Sequence, residues 1–268
     1  MADIERMTEQ YVKNGYSERN ARARVCQDII LKAIEKSNFG KHVTIKGGVV
    51  MRSLSGDVRR ATEDIDIDFI RYSLEDDSIR RFIDKLNCLD GIMINIKDDQ
   101  IQPLSQQEYR GKRVFVVISD DSGHSMTSKM DIGVHSEYLI DQEEYCFDVC
   151  LDEEGASLLI NSSEQIFTEK LKSFLRFGQF STRYKDLFDL YYLEDHVDIQ
   201  KLKDCIKTCI FDDPTMKEDN MDAVRVRISS TLNEKRFRAG IESAGNRNWV
   251  QVDVDTVISS IEEYLKKL

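Results

Sequence analysis

Lys46–Phe69 reads KGGVVMRSLSGDVRRATEDIDIDF, and its final six residues alternate strictly between aspartate and a β-branched or aromatic side chain. In a strand, residues i, i+2 and i+4 share a face, so Asp64, Asp66 and Asp68 project together while Ile65, Ile67 and Phe69 face the other way. Like charges in a row repel and need compensation. Two arrangements supply it: an edge open to water, where screening lowers the cost and the charges discourage aggregation, or a divalent cation such as Mg2+ or Mn2+ held by the carboxylate oxygens. The upstream residues favour the cation. Val43–Lys46 is a short β-branched strand, Gly47 and Gly48 break it, and Val49–Leu54 reads as a short helix. Unobstructed backbone N–H groups at such a turn, with the positive end of a helix, suit a phosphate. A basic turn, Arg59-Arg60, and then Thr62 lead into the aspartates, which makes phosphate cradle and metal site neighbours. Downstream, the alternation in Lys129–Val134 offers Asp131 as a third carboxylate from an adjacent strand.

Outward from this stretch, the spacing of Val25, Ile29, Ala33 and Ile34 predicts a helix over Ser17–Asn38 that covers a sheet. A further helix is expected near Asp76–Asn87, and strands over Ile92–Ile96, Val114–Ser119, Lys129–Val134 and Tyr145–Leu151. From Ser162 the pattern turns helical, opening on a capping box with Gln165. The expected fold is α+β: a mixed-sheet domain with flanking helices over residues 1–157, followed by a mainly helical domain over 158–268.

A chain of 268 residues with 41% hydrophobic content has enough material for a sizeable core. No apolar run approaches the roughly 20 residues of a membrane helix, and MADIERMTEQ has no leader pattern, so the expected location is the cytoplasm, away from any membrane. The six cysteines form no C-x-x-C pair, which argues for reduced thiols rather than a disulfide framework or a zinc knuckle. A formal charge of −11 disfavours nonspecific adhesion to nucleic acid but permits a local basic surface, such as Arg225–Arg238.

Five segments together resemble the AbiEii/AbiGii (MenT-like) toxin family of the nucleotidyltransferase superfamily: KGGVVMR (Lys46–Arg52), RATEDIDID (Arg60–Asp68), KMDIG (Lys129–Gly133), EKLKSFLRFG (Glu169–Gly178) and RYKDLFDLYYL (Arg183–Leu193). The resemblance implies a nucleotidyltransferase fold, Asp64 and Asp66 as metal ligands, Thr62 as the small hydroxyl before them, and Lys170 and Asp186 as the later functional pair. It further implies transfer of a nucleoside monophosphate from an NTP to an RNA such as the tRNA 3′ end, and a cognate antitoxin in a type IV toxin–antitoxin or abortive-infection system acting in phage defence. Two departures stand out: a long gap between Gly48 and Asp64, and the additional Asp68.

At about 100° per residue, Lys170 falls inside the apolar stripe of Ile166, Phe167, Leu171, Phe174 and Leu175. A lysine there either meets an anion or snorkels at the stripe's edge. On the next helix Arg183 and Asp186 intrude among leucines, whereas Lys185 and Asp189 fall on the wetter side, so Asp186 is preferred over Asp189 as the functional acid; the alternative is that either aspartate simply pairs with Arg183 or Lys185. The Arg225–Arg238 cluster with Trp249 is the expected place for RNA contacts. A metal-dependent nuclease or phosphodiesterase using the same carboxylates, and a noncatalytic nucleotide-binding module, are the alternatives.

Overall fold

The structure is a computed structural model and describes residues 3–104, 111–135, 142–243 and 247–268. It divides into two compact units, Met1–Asn161 and Ser162–Leu268. The sequence-based boundary at 157/158 falls inside a strand, so the division moves a few residues downstream.

The first unit is built on a seven-stranded sheet, in spatial order β3-β4-β5-β2-β1-β7-β6. Its strands are β1 (Val43–Lys46), β2 (Ile65–Phe69), β3 (Ile92–Pro103), β4 (Lys112–Asp120), β5 (Ser125–Val134), β6 (Glu143–Phe147) and β7 (Ala156–Ile160). The sheet is mixed. β2 runs antiparallel to β1 but parallel to β5, and β1 runs parallel to β7, while β3-β4-β5 and β6-β7 are antiparallel. β3 is much longer than the alternation suggested because it continues past an irregularity between Ile96 and Ile101. β6 is shorter than Tyr145–Leu151, since the chain turns near Cys150. β7, unread in the sequence, is too short to show a period of its own.

One face of this sheet carries the core and is largely apolar, with Ser128 among the few polar residues of that face. Ile45, Ile65, Ile67, Phe69, Val114, Val116, Ile118, Met130 and Ile132 are all completely buried. Against the sheet pack α2 (Glu18–Lys36) and α4 (Asp76–Lys85). α2 begins where Ser17 accepts the Asn20 N–H, and it buries Val25, Ile29, Ala33 and Ile34 as its periodicity requires. α1 (Ile4–Lys13) packs on α2, and α3 (Gly47–Ser55) follows β1 directly. Phe39, Phe69, Tyr72 and Phe82 meet edge to face at 5.0–5.3 Å, closing the core at the end of β2.

The second unit is helical: α5 (Ser163–Phe177), α6 (Tyr184–Leu193), α7 (Ile199–Ile206), α8 (Met221–Leu232), α9 (Lys235–Ser243) and α10 (Val254–Leu265). α5 opens with the expected capping box, Ser162 Oγ accepting the Gln165 N–H while Gln165 Oε1 accepts the Ser162 N–H. Its apolar stripe enters a core containing Phe174, Phe188 and Phe237. All six cysteines are free thiols. Among the described residues no helix is long and apolar enough to cross a membrane.

Candidate active site

The polar face of the sheet carries the carboxylates. Because β2 pairs with β1 and β5 in register, Asp66 lies opposite Lys46 on one side and Asp131 on the other. Asp68 lies opposite Thr44 and Gly133. Arg113 of β4 faces Asp131 in turn. Equal parity puts all of these side chains on one surface.

The row of acids is compensated by cations from the same face, which the sequence reading missed. Lys129 Nζ is 2.5 Å from Asp64, Lys46 Nζ is 2.8 Å from both oxygens of Asp68, and Arg113 grips Asp131 with two bonds of 2.8 and 2.7 Å. That fork raises the Arg113 pKa above its ordinary value, the bond to Asp131 being the main cause. Lys129 could have been found from sequence, since it sits two residues before Asp131 and must share its face. Lys46 and Arg113 depend on which strands are neighbours, and alternation within a segment carries no trace of that.

The carboxylates are not equivalent. Asp68 is deep, its side chain only 8% exposed, and Gly133 leaves the space that one of its oxygens fills. Asp64 lies just before β2 and is 42% exposed. Asp66 stands against Gly47: a Cβ on that glycine, whose φ of +67° is left-handed, would come within 2.5 Å of Asp66 Oδ2. Next door, a Cβ on Gly48 would come within 2.6 Å of Thr62 Oγ1. Gln27 holds the Thr62 carbonyl at 2.8 Å and so fixes the approach to β2. The two glycines therefore let Thr62 and Asp66 close onto the start of α3, whose N-cap residue, Lys46, makes no side-chain capping bond.

Asp64, Asp66 and Asp131 are hard oxygen donors on one face, a chemistry suited to a small divalent cation. Their oxygens do not converge as a closed three-ligand cluster, Asp64 and Asp131 being turned to Lys129 and Arg113. Among the described residues, Asp3, Asp120 and His124 do bring three ligand atoms within 4.8 Å of one another. That group serves to fasten α1: Asp120 accepts the Ile4 and His124 N–H groups at 3.0 Å each, and the bond to Asp120 raises the His124 pKa.

In the second unit Lys170 is 7% exposed and meets anions, the first of the two outcomes its place in the stripe allowed. Its Nζ lies 2.8 Å from Asp186 and 2.6 Å from Asp189. Here the helical-wheel expectation needs correcting. Asp189 is completely buried rather than wet, and Trp249 Nε1–H donates to it at 2.9 Å. Arg183, expected among leucines, is 60% exposed. α6 is packed by both α5 and α10, so it has two inward faces and a single stripe misjudges it.

Trp249 is likewise enclosed, with its indole N–H engaged, and presents no surface for stacking a base. The basic cluster is largely engaged within the unit. Arg225 binds Asp222 and the Leu265 carbonyl, Arg238 binds Asp255, Asn233 and the Leu232 carbonyl, and Arg236 lies over the Phe180 ring at 4.7 Å.

Residues 29–259 match the family described as nucleotidyl transferase AbiEii toxin, type IV TA system. The chain belongs to this family and is a nucleotidyltransferase of the toxin–antitoxin type. Nothing among the curated proteins matches it. Among solved structures it is similar to an antigenic nucleotidyltransferase-like protein from Paracoccidioides brasiliensis, at 12% identity and a TM-score of 0.43, with 88% of this chain and 93% of that one covered. Family membership brings a nucleotide substrate and an antitoxin partner.

Proposed function

We propose that the protein transfers a nucleoside monophosphate from an NTP to a hydroxyl of an RNA acceptor, the tRNA 3′ end in particular, with Mg2+ or Mn2+ as cofactor. In this reaction the acceptor oxygen bonds to the α-phosphorus as the bond to pyrophosphate breaks. The observation that carries this reading is the closure of Asp66 onto Gly47 and of Thr62 onto Gly48, beside Asp64 and Asp131.

Asp64 and Asp66, with Asp131 as a third donor, would hold the cation; when bound it supplies charge neutralisation along the triphosphate. The backbone of Gly47 and Gly48 and the Thr62 hydroxyl receive the terminal phosphates. Lys170 is assigned to offset charge developing on the phosphates, and Asp186 to orient Lys170 or the acceptor; their mutual contact in the second unit supports that pairing. The cellular role that follows is a toxin of a phage-defence system, restrained by a cognate antitoxin and working in the cytoplasm.

Incubation of the protein with Mg2+, each labelled NTP and total tRNA tests this directly. Label should enter RNA from at least one nucleotide, and Asp66→Ala should abolish it. Cleavage of RNA without incorporation would instead indicate a nuclease, and no change of the RNA at all would overturn the proposal.

A further inference from the structure

Arg52 lies on α3, five residues past Gly47, and is only 3% exposed. Among the described residues none of its three guanidinium nitrogens has a hydrogen-bond partner. The fold treats other deeply buried cations differently. Arg24 lies 3.0 Å from Asp28, Lys32 donates to the Gly155 carbonyl at 2.6 Å, and Lys170 has two carboxylates. A guanidinium withdrawn from water and left without acceptors is strongly unfavourable, so a position that keeps one implies an anion that joins it.

Where that anion enters follows from helix geometry. Helical side chains lean back over the preceding turn, and residues i and i+4 share a face, so Arg52 covers the turn begun by Gly48. Gly47 and Gly48 are half-buried, and the helix they open has no side-chain cap. Arg52 stands in the last turn of this nine-residue helix, and an extended side chain leaning back from there reaches towards the end where the first N–H groups are free. A fork of several N–H donors matches the oxygens of a phosphate rather than a single carbonyl.

We infer that Arg52 is an anion anchor beneath the glycine turn, binding the phosphate tail of the nucleoside triphosphate. This rests on the nucleotidyltransferase reading for the identity of the ligand, but not for the existence of the anion site.

The test is calorimetry and thermal melting of the full chain in EDTA, with inorganic phosphate, inorganic pyrophosphate and ATP as probes, for the wild type, Arg52→Met and Arg52→Lys. The wild type should be stabilised by pyrophosphate and ATP more than by phosphate. Arg52→Met should melt no lower than wild type without a ligand, because it removes an uncompensated charge, and should bind pyrophosphate at least about tenfold more weakly. Arg52→Lys keeps the charge without the fork and should fall between them, which also covers a Met variant that fails to fold. An Arg52→Met protein that is destabilised without ligand yet keeps its pyrophosphate response would overturn the inference, because Arg52 would then be structural. So would a wild type indifferent to all three anions, or one that prefers lone phosphate to pyrophosphate. Loss of pyrophosphate binding in Arg52→Met, with no NTP incorporation by wild type, would leave the anion site standing and remove the transferase reading alone.

Discussion

Asp64, just before β2, and Asp68, within it, are chemically identical, alternate in step along the same stretch, and have opposite fates. Asp68 and Lys46 have side chains only 8% and 13% exposed, so removing the acid strands a largely desolvated ammonium. Asp68→Ala should therefore cost about 3 kcal/mol of unfolding free energy, measured by urea denaturation. Asp64 pairs with Lys129 at a more open position, where an ion pair is worth about 1 kcal/mol or less. Asp64→Ala should leave the urea midpoint nearly unchanged while lowering NMP transfer by about a thousandfold. Equal losses of stability in the two variants would show that the burial gradient along β2 does not sort their roles. In the second unit, Trp249→Phe leaves the buried Asp189 without its indole donor and should cost about 1–3 kcal/mol, followed by circular dichroism because Trp249 is the sole tryptophan.

At the scale of elements, α3 and the turn before it decide how the site is assembled. Gly47 and Gly56 bracket this helix with nearly equal left-handed φ values, +67° and +63°. A Cβ at Gly56 meets nothing within 4 Å, whereas at Gly47 it runs into Asp66. Both alanine substitutions should cost about 1–2 kcal/mol in backbone strain. Only Gly47→Ala should also depress transfer, since Asp66 must move; equal activity in the two variants would mean that the close approach is incidental. The elements themselves were largely legible. β1, α2 and β2 carry strong periodic or β-branched signals, and the Ser162–Gln165 cap announces α5. Asp189 was misplaced for a physical reason: a helix with neighbours on two sides has no single wet face.

For the whole molecule, charge is the governing quantity. The chain is strongly acidic, and several of its C-terminal basic residues are engaged internally, so the RNA acceptor proposed above requires a local, few-contact mode of binding. Titration also acts on overall stability. Burial pushes the Glu194 carboxyl up to about 7 from 4.5, with the Ser260 hydroxyl pulling the other way. Because the folded-state pKa is the higher one, its contribution is full below pH 4.5 and is lost as pH rises towards 7. Glu194→Gln cannot take the charge. Its stability relative to wild type should rise across that window, by about 1 kcal/mol once solvent screening of a half-buried group is counted, as read from melting curves between pH 4 and 8. A constant difference across that range would contradict this assignment.

The sequence by itself determined that Asp64, Asp66 and Asp68 share a face, that a glycine turn precedes a helix, and that Lys170 enters an apolar stripe, because backbone periodicity fixes which side chains point together within one element. Only the tertiary structure decided which strands lie side by side, and hence that Lys46, Lys129 and Arg113 neutralise the acids, that Asp68 is buried while Asp64 is open, and that Trp249 holds Asp189. Pairing between elements distant in the chain depends on the packing of the whole core, and no local alternation records it.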